Sequence, residues 1–165
     1  PWLVTGPPGA GRSVAGECFA GPLQCQSEAG FGCGEWRACA TVMNRTPADV
    51  RHVVPQGLSL GAAEVRELVQ TAARLPATGR WHIIVVEDAD RLTEAAANAL
   101  LKVVEEPPAR TVFLLCAPSV DPEDISVTLK SRCRHVALAI APTADIERVL
   151  VGKAIGVDAD HRLLA

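Results

Sequence analysis

Two stretches of the 165-residue chain carry residue types that could do chemistry together. The first is Gly6-Pro7-Pro8-Gly9-Ala10-Gly11-Arg12-Ser13, which has the spacing Gly-x4-Gly-basic-Ser of a loop that cradles phosphate. Gly6, Pro7, Gly9 and Gly11 let successive backbone N–H groups turn inward on phosphate oxygens, and a following helix adds positive potential. Ser13 would place a hydroxyl in a Mg²⁺ shell. Arg12 stands where lysine is the rule. Lysine is a compact point charge, whereas arginine is a broad planar fork that fills more of the loop. A nucleotide site of altered chemistry follows, with ATP or ADP and Mg²⁺ as weak ligands. A glycine-rich turn without a ligand is the plainer alternative.

The second stretch is Glu87-Asp88-Ala89-Asp90, delivered by the apolar run Ile83–Val86. Ligands of open α/β sheets gather at such strand ends. One acid there commonly holds Mg²⁺ and a second orients the attacking water, in the order Asp-Glu. Glu87 followed by Asp88 reverses this Walker-B-like pair. Each carboxylate is one methylene too long or too short, a displacement of roughly 1 Å that can cost about 10²-fold in rate. A solvated acidic strand end is the competing reading.

The surrounding pattern must bring these stretches together. Trp2–Thr5 predicts a strand, followed by the loop and a helix from Ser13 to Ala20 that Gly21-Pro22 stops. Trp36–Arg45 predicts a short helix and Val50–Val54 a strand. Val65, Leu68, Val69 and Ala72 recur at helical spacing, giving a helix over 61–75. His82–Val86 is a near-continuous β-branched run, as in a central strand buried on both faces. Thr93 caps a helix whose Ala97, Leu100, Leu101 and Val104 share a face, and Pro107-Pro108 ends it. A strand over 111–116, a short helix near 125–130, a strand over 135–138 and a helix from Asp145 complete the series. Alternating strands and helices predict an open parallel α/β sheet.

Composition sets the limits. Hydrophobic residues make up 48% of the chain, ample for a core, and the net charge of −3 gives no overall basic footprint for wrapping nucleic acid. No apolar run approaches the roughly 18–20 residues that span a bilayer, so no membrane partner is expected. The chain lacks an initiating Met and begins inside an apparent strand, which suggests a fragment. Six cysteines, three of them close together, suit metal ligation in a reducing cytoplasm better than a disulfide framework. The four histidines form no evident cluster in sequence, and Trp81 is expected to seal a strand entrance.

From Trp2 to Leu150 the chain resembles the clamp-loader delta-prime subunits of bacterial DNA polymerase III, AAA+ proteins, in their actinobacterial form. The likeness rests on GPPGAGRS (6–13), the three cysteines of 25–39, IIVVEDADRL (83–92), NALLKVVEEPP (98–108), TVFLLCAPS (111–119) and SRC (131–133). It implies an AAA+ domain over 1–141, with a Cys-rich module at 25–39, and the start of a helical lid at 142–165. It also implies a stator in the replisome that helps load the sliding clamp on primed DNA. Its partners would be the motor and delta-type subunits, and its own hydrolysis would be weak or absent. Ser131-Arg132-Cys133 matches the motif whose arginine reaches a neighbouring subunit's ATP, where a cation supplied in trans stabilises the transferring phosphoryl group. From charge alone Arg132 would be an ordinary surface arginine, with Lys130 and Arg134 close by.

The resemblance also places Cys25, Cys33 and Cys39 at three positions of a four-cysteine zinc module. Trp36 stands at the fourth, and a tetrahedral Zn²⁺ wants four ligands. Weakened zinc binding, or three thiols without metal, follows. Ser119 falls where a γ-phosphate sensor would sit, or is simply a serine at a strand end. An ATP-hydrolysing motor subunit of the gamma/tau type is the main alternative function; lysine at 12 and Asp-Glu at 87–88 would favour it. A P-loop NTPase outside replication is opposed by the 98–108 and 131–133 motifs.

Overall fold

The computed structural model describes residues 1–25, 49–77 and 79–147. They build one parallel sheet of five strands: β1 (Trp2–Thr5), β2 (Val50–Val53), β3 (His82–Val86), β4 (Thr111–Ala117) and β5 (Arg134–Ala137). The spatial order is β2-β3-β4-β1-β5. Helices α1 (Arg12–Gln24), α2 (Ala62–Ala72), α3 (Glu94–Glu105) and the single turn α4 (Val127–Lys130) lie between them. The open parallel α/β sheet expected from the sequence is therefore the fold.

Period-two alternation sorts the core into two layers. Ile84, Val86, Phe113 and Leu115 face α2 and α3, where they meet Val65, Leu68, Leu100 and Val104. Ile83, Val85, Leu114 and Cys116 point to the opposite face, with Ala20 and the partly buried Phe19 and Leu23 of α1. All five residues of β3 are buried, as a strand covered on both sides requires. Burying each such Leu, Ile or Val stabilises the fold by about 1.5–3 kcal/mol before chain entropy is subtracted. Helix α1 approaches the sheet closely at Gly16, where a Cβ would sit 3.3 Å from Val85 Cγ1.

Helix α1 runs past Gly21-Pro22, contrary to the stop expected there. Proline in a last turn forfeits only one intrahelical bond, and Cys25 N still bonds Gly21 O at 3.0 Å. Beyond it Gln24, buried, donates to Trp81 O at 2.5 Å and accepts from Arg80 N at 2.9 Å. That tertiary anchor outweighs the local break. Helix α2 is shorter than expected, while Thr93 caps α3 by accepting from Ala96 N at 3.2 Å. Trp81 is partly buried in the α1-side cluster, as expected. The helix expected over Trp36–Arg45 lies outside the described residues. Strand β5 is exposed along its whole length and, among the described residues, pairs with β1 alone.

Candidate functional site

The strand order puts the ends of β1 and β3 on either side of β4, at the carboxyl edge of the sheet. After β1 the chain turns sharply at Gly6, whose N–H reaches Pro118 O at 3.2 Å. A Cβ on Gly6 would lie 2.9 Å from both Ala10 Cβ and Leu138 O, so only glycine fits. Gly9 and Gly11 have φ of 86° and 83°, a left-handed backbone that glycine adopts without strain. Helix α1 starts directly at Arg12. The expected strand–loop–helix is thus in place around residues 6–13.

Arg12 folds back across this loop. Its Nη1 donates to Gly6 O at 2.7 Å, its Nη2 lies 3.8 Å from Asp88 Oδ1, and the side chain is only 15% exposed. Pro7, Gly9, Gly11, Arg12, Ser13 and Val14 line a depression of about 240 Å³, below the ~300–1,000 Å³ common in sites that enclose a small ligand. A roomier cavity of about 340 Å³ lies elsewhere, lined by Asp90, Leu92, Asn98, Asp124 and Leu129 among others, and holds none of the loop residues.

The acidic pair meets the loop directly. Ser13 Oγ donates to Glu87 Oε2 at 2.7 Å, while Glu87 Oε1 lies 2.9 Å from His52 Nδ1. Asp88 adopts φ 51° and ψ 52°, turning its carboxylate between Arg12 and Arg91, each 3.8 Å away. Behind them the Cys116 thiol is pushed up to about 11, first by burial and then by the Glu87 charge, with Arg12 pulling the other way. At neutral pH it stays a protonated core thiol. His52 is the member that sequence reasoning missed. It lies 35 residues from Glu87 and is brought there by the β2–β3 register, which pairs His52 with Val85. Nothing in the spacing of the two residues announces that register.

Ser119 is engaged within its own loop: its Oγ donates to Asp124 Oδ2 at 2.7 Å and accepts from Asp121 N at 2.9 Å. Cys25 is buried as the residue capping α1, whereas Cys33, Trp36 and Cys39 lie outside the described residues. Among the described residues no group of three or more His, Cys, Asp or Glu could hold a metal ion.

Arg132 sits apart from this cluster, in the turn between α4 and β5. It donates through Nε to Glu105 Oε1 and through Nη1 to Thr128 O at 2.9 Å, with Ser131 Oγ 3.3 Å away. Its side chain is 35% exposed. Apart from Ser119 and the cysteines, the sequence-predicted residues therefore form two groups: the loop and acidic pair, joined by a hydrogen bond and an ion pair, and a surface arginine on another edge.

A phosphate-type loop after β1, an acidic pair after β3 and the order β2-β3-β4-β1-β5 define an open parallel α/β fold of the P-loop kind. A DNA polymerase III gamma subunit-related protein from Thermotoga maritima shares this fold at a TM-score of 0.57 and 23% identity, over 87% of this chain and 42% of that one. A RuvB variant from the same organism does so at 0.57 and 14%, over 94% and 44%. The chain belongs to the family described as DNA polymerase III, delta subunit, which it matches over residues 1–141, and is of the clamp-loader delta-prime type. It is 37% identical over 143 residues to DNA polymerase III subunit delta' of Escherichia coli, covering 85% of this chain and 42% of that protein. The delta' subunit of Pseudomonas aeruginosa is 36% identical over 146 residues, covering 87% and 44%. Subunit gamma/tau of Mycobacterium tuberculosis is 30% identical over 151 residues, covering 90% and 26%. The chain thus spans less than half the length of these relatives.

Proposed function

We propose that this domain acts as the stator of a clamp loader, contributing little or no hydrolysis of its own and lending Arg132 to a neighbour's ATP. The observation that carries this reading is the closed state of its own site. Arg12 already bridges Gly6 O and Asp88, and Ser13 is already bonded to Glu87. Ser13 and Glu87 are the hard oxygen donors that Mg²⁺ takes, and the glycine loop suits phosphate. ATP or ADP with Mg²⁺ would have to part these contacts, so weak binding is expected. The reversed Glu87-Asp88 order then leaves no acid at the usual reach to orient water. Binding of sister subunits, and through them action on the sliding clamp and primed DNA in the cytoplasm, extends the activity of the delta-prime type to this chain. Residues 142–165 would begin the lid of the full protein.

Arg132 supplies the chemistry that remains. A guanidinium placed against a neighbour's γ-phosphate stabilises charge that develops as the phosphoryl group transfers, worth 10³–10⁵ in related trans-arginine systems. The test is hydrolysis by the isolated polypeptide compared with the assembled complex carrying Arg132→Ala. The stator reading expects no appreciable turnover alone and a slowed complex with the variant. Brisk turnover by the isolated chain would instead favour the gamma/tau-type motor, the reading to which the 30% identity with gamma/tau lends weight.

Zinc is proposed as a weakly held structural ion on Cys25, Cys33 and Cys39. Metal analysis of gently purified protein should find well under one Zn²⁺ per chain, and Trp36→Cys should raise it by restoring a fourth thiolate. Unchanged content in that variant would remove zinc from the account.

A further inference from the structure

We infer that Glu105 is the positioning residue for Arg132, fixing the guanidinium so that its outer edge is ready for a neighbouring subunit's phosphate. This rests on the trans-arginine reading above. Glu105 is the last residue of α3 and Arg132 lies 27 residues further on, beyond β4 and α4, so the contact is tertiary. The restraints on Arg132 come from different elements. Glu105 Oε1 takes the Nε hydrogen from the end of α3, and Thr128 O takes one Nη1 hydrogen from α4. Ser131 Oγ, 3.3 Å from Nη1, takes the other hydrogen of that nitrogen, so Nε and Nη1 are both engaged. Nη2, with two N–H groups, has no partner among the described residues.

That division separates aiming from parking. An arginine held out of use would have both terminal nitrogens taken, whereas this one keeps Nη2 open and is 35% exposed. The placement of Glu105 also runs against helix electrostatics, since a carboxylate at a helix C-terminus meets the negative end of the dipole. The Arg132 cation offsets that. An exposed ion pair contributes little to stability, so the geometric effect on arginine is what remains. Free arginine samples many rotamers, and pre-ordering its fork reduces what is lost when it engages phosphate. Glu105 touches neither nucleotide nor the reacting atoms and acts only through Arg132.

The test uses the full polypeptide assembled with nucleotide-hydrolysing partner subunits and follows single-turnover hydrolysis at saturating ATP, at the site Arg132 faces. Glu105→Ala should slow that step about tenfold, and Glu105→Gln, which keeps an acceptor without the charge, about threefold. The thermal midpoint and the affinity of assembly should stay at parental values. In an Arg132→Ala background, Glu105→Ala should add no further loss. Hydrolysis by Glu105→Ala at or above the parental rate would overturn the positioning role. So would an equal loss in the Arg132→Ala background, which would mark Glu105 as a fold contact. If Arg132→Ala itself leaves hydrolysis unchanged, the trans-arginine reading has failed first, and the two failures are told apart.

Discussion

Arg12 and Arg132 both stand where a loop meets a helical turn, yet they face opposite ways. Arg12 is 15% exposed, crosses a glycine loop, donates to Gly6 O and lies 3.8 Å from Asp88. Arg132 is 35% exposed and is held through Nε and Nη1 by Glu105, Thr128 and Ser131, with Nη2 open. The difference teaches that a cation's role follows from which of its edges the fold leaves open. The inward arginine is folded onto its own loop and becomes part of the architecture. The outward one keeps an unused edge and becomes a candidate for work between molecules.

The most demanding way to break this contrast is to exchange the two losses. Arg132→Ala should slow hydrolysis at the adjoining site of the assembled complex by at least about 10²-fold, while Arg12→Ala leaves that rate within about twofold. Single-turnover assays on the two variants check it. Comparable losses from both would mean that the inward site still takes part in catalysis.

Cys116 offers a probe buried behind the inward arginine. Its thiol is 1% exposed and lifted from 9.0 to about 11, by burial first and then by Glu87. The folded state therefore holds the proton more firmly than the unfolded chain. The corresponding stability is complete below about pH 9 and falls away as pH rises towards 11, by about 2–3 kcal/mol in all. Urea unfolding at stepped pH should show this slope, and Cys116→Ala should flatten it. The sequence contains no tyrosine, but the Cys133 thiol is also raised by burial and leaves a slope of its own in the variant. A slope undiminished in Cys116→Ala would show that another group governs it.

Next in size is the stability difference between the arginines. Arg12→Ala removes a charged donor from a half-closed loop and should cost about 1–2 kcal/mol, since hydrogen bonds to charged groups are worth about 1.5–3 kcal/mol. Arg132→Ala, on an exposed ion pair, should fall within about 0.5 kcal/mol of the parent. Equal destabilisation would erase the distinction between architecture and interface.

The fold was legible in sequence because its signals are local: the buried run His82–Val86, the Thr93 cap and the glycine spacing of 6–13 each declare an element. Strand order was not, since pairing of β1 with β4 and β5 depends on contacts more than 100 residues apart. The same holds for the sites. Gly6, Gly9, Gly11, Arg12, Ser13, Glu87 and Asp88 could be named from motif and chemistry. The partners that give them meaning could not. His52 reaches Glu87 through strand register, and Glu105 reaches Arg132 across the end of α3. Gly21-Pro22 misled because a local break was set against Gln24, whose bonds to Arg80 and Trp81 are invisible in one dimension.

The smallest expected effect is the sharpest on the inward site. Arg12→Lys replaces the fork with a single ammonium on a thinner stem. That group can serve Gly6 O or Asp88 but cannot span both as two separate N–H edges do. The loop should therefore open to phosphate more readily, and ATP·Mg²⁺ affinity measured by titration calorimetry should rise about tenfold, or about 1.4 kcal/mol. Turnover should remain negligible, because Glu87 and Asp88 keep their reversed order and Ser13 still bonds Glu87. Higher affinity without hydrolysis would assign the two defects to two different residues. Affinity unchanged in Arg12→Lys would move the obstruction from the arginine fork to the Ser13–Glu87 bond, and hydrolysis restored by this one change would show the acidic pair to be competent as it stands.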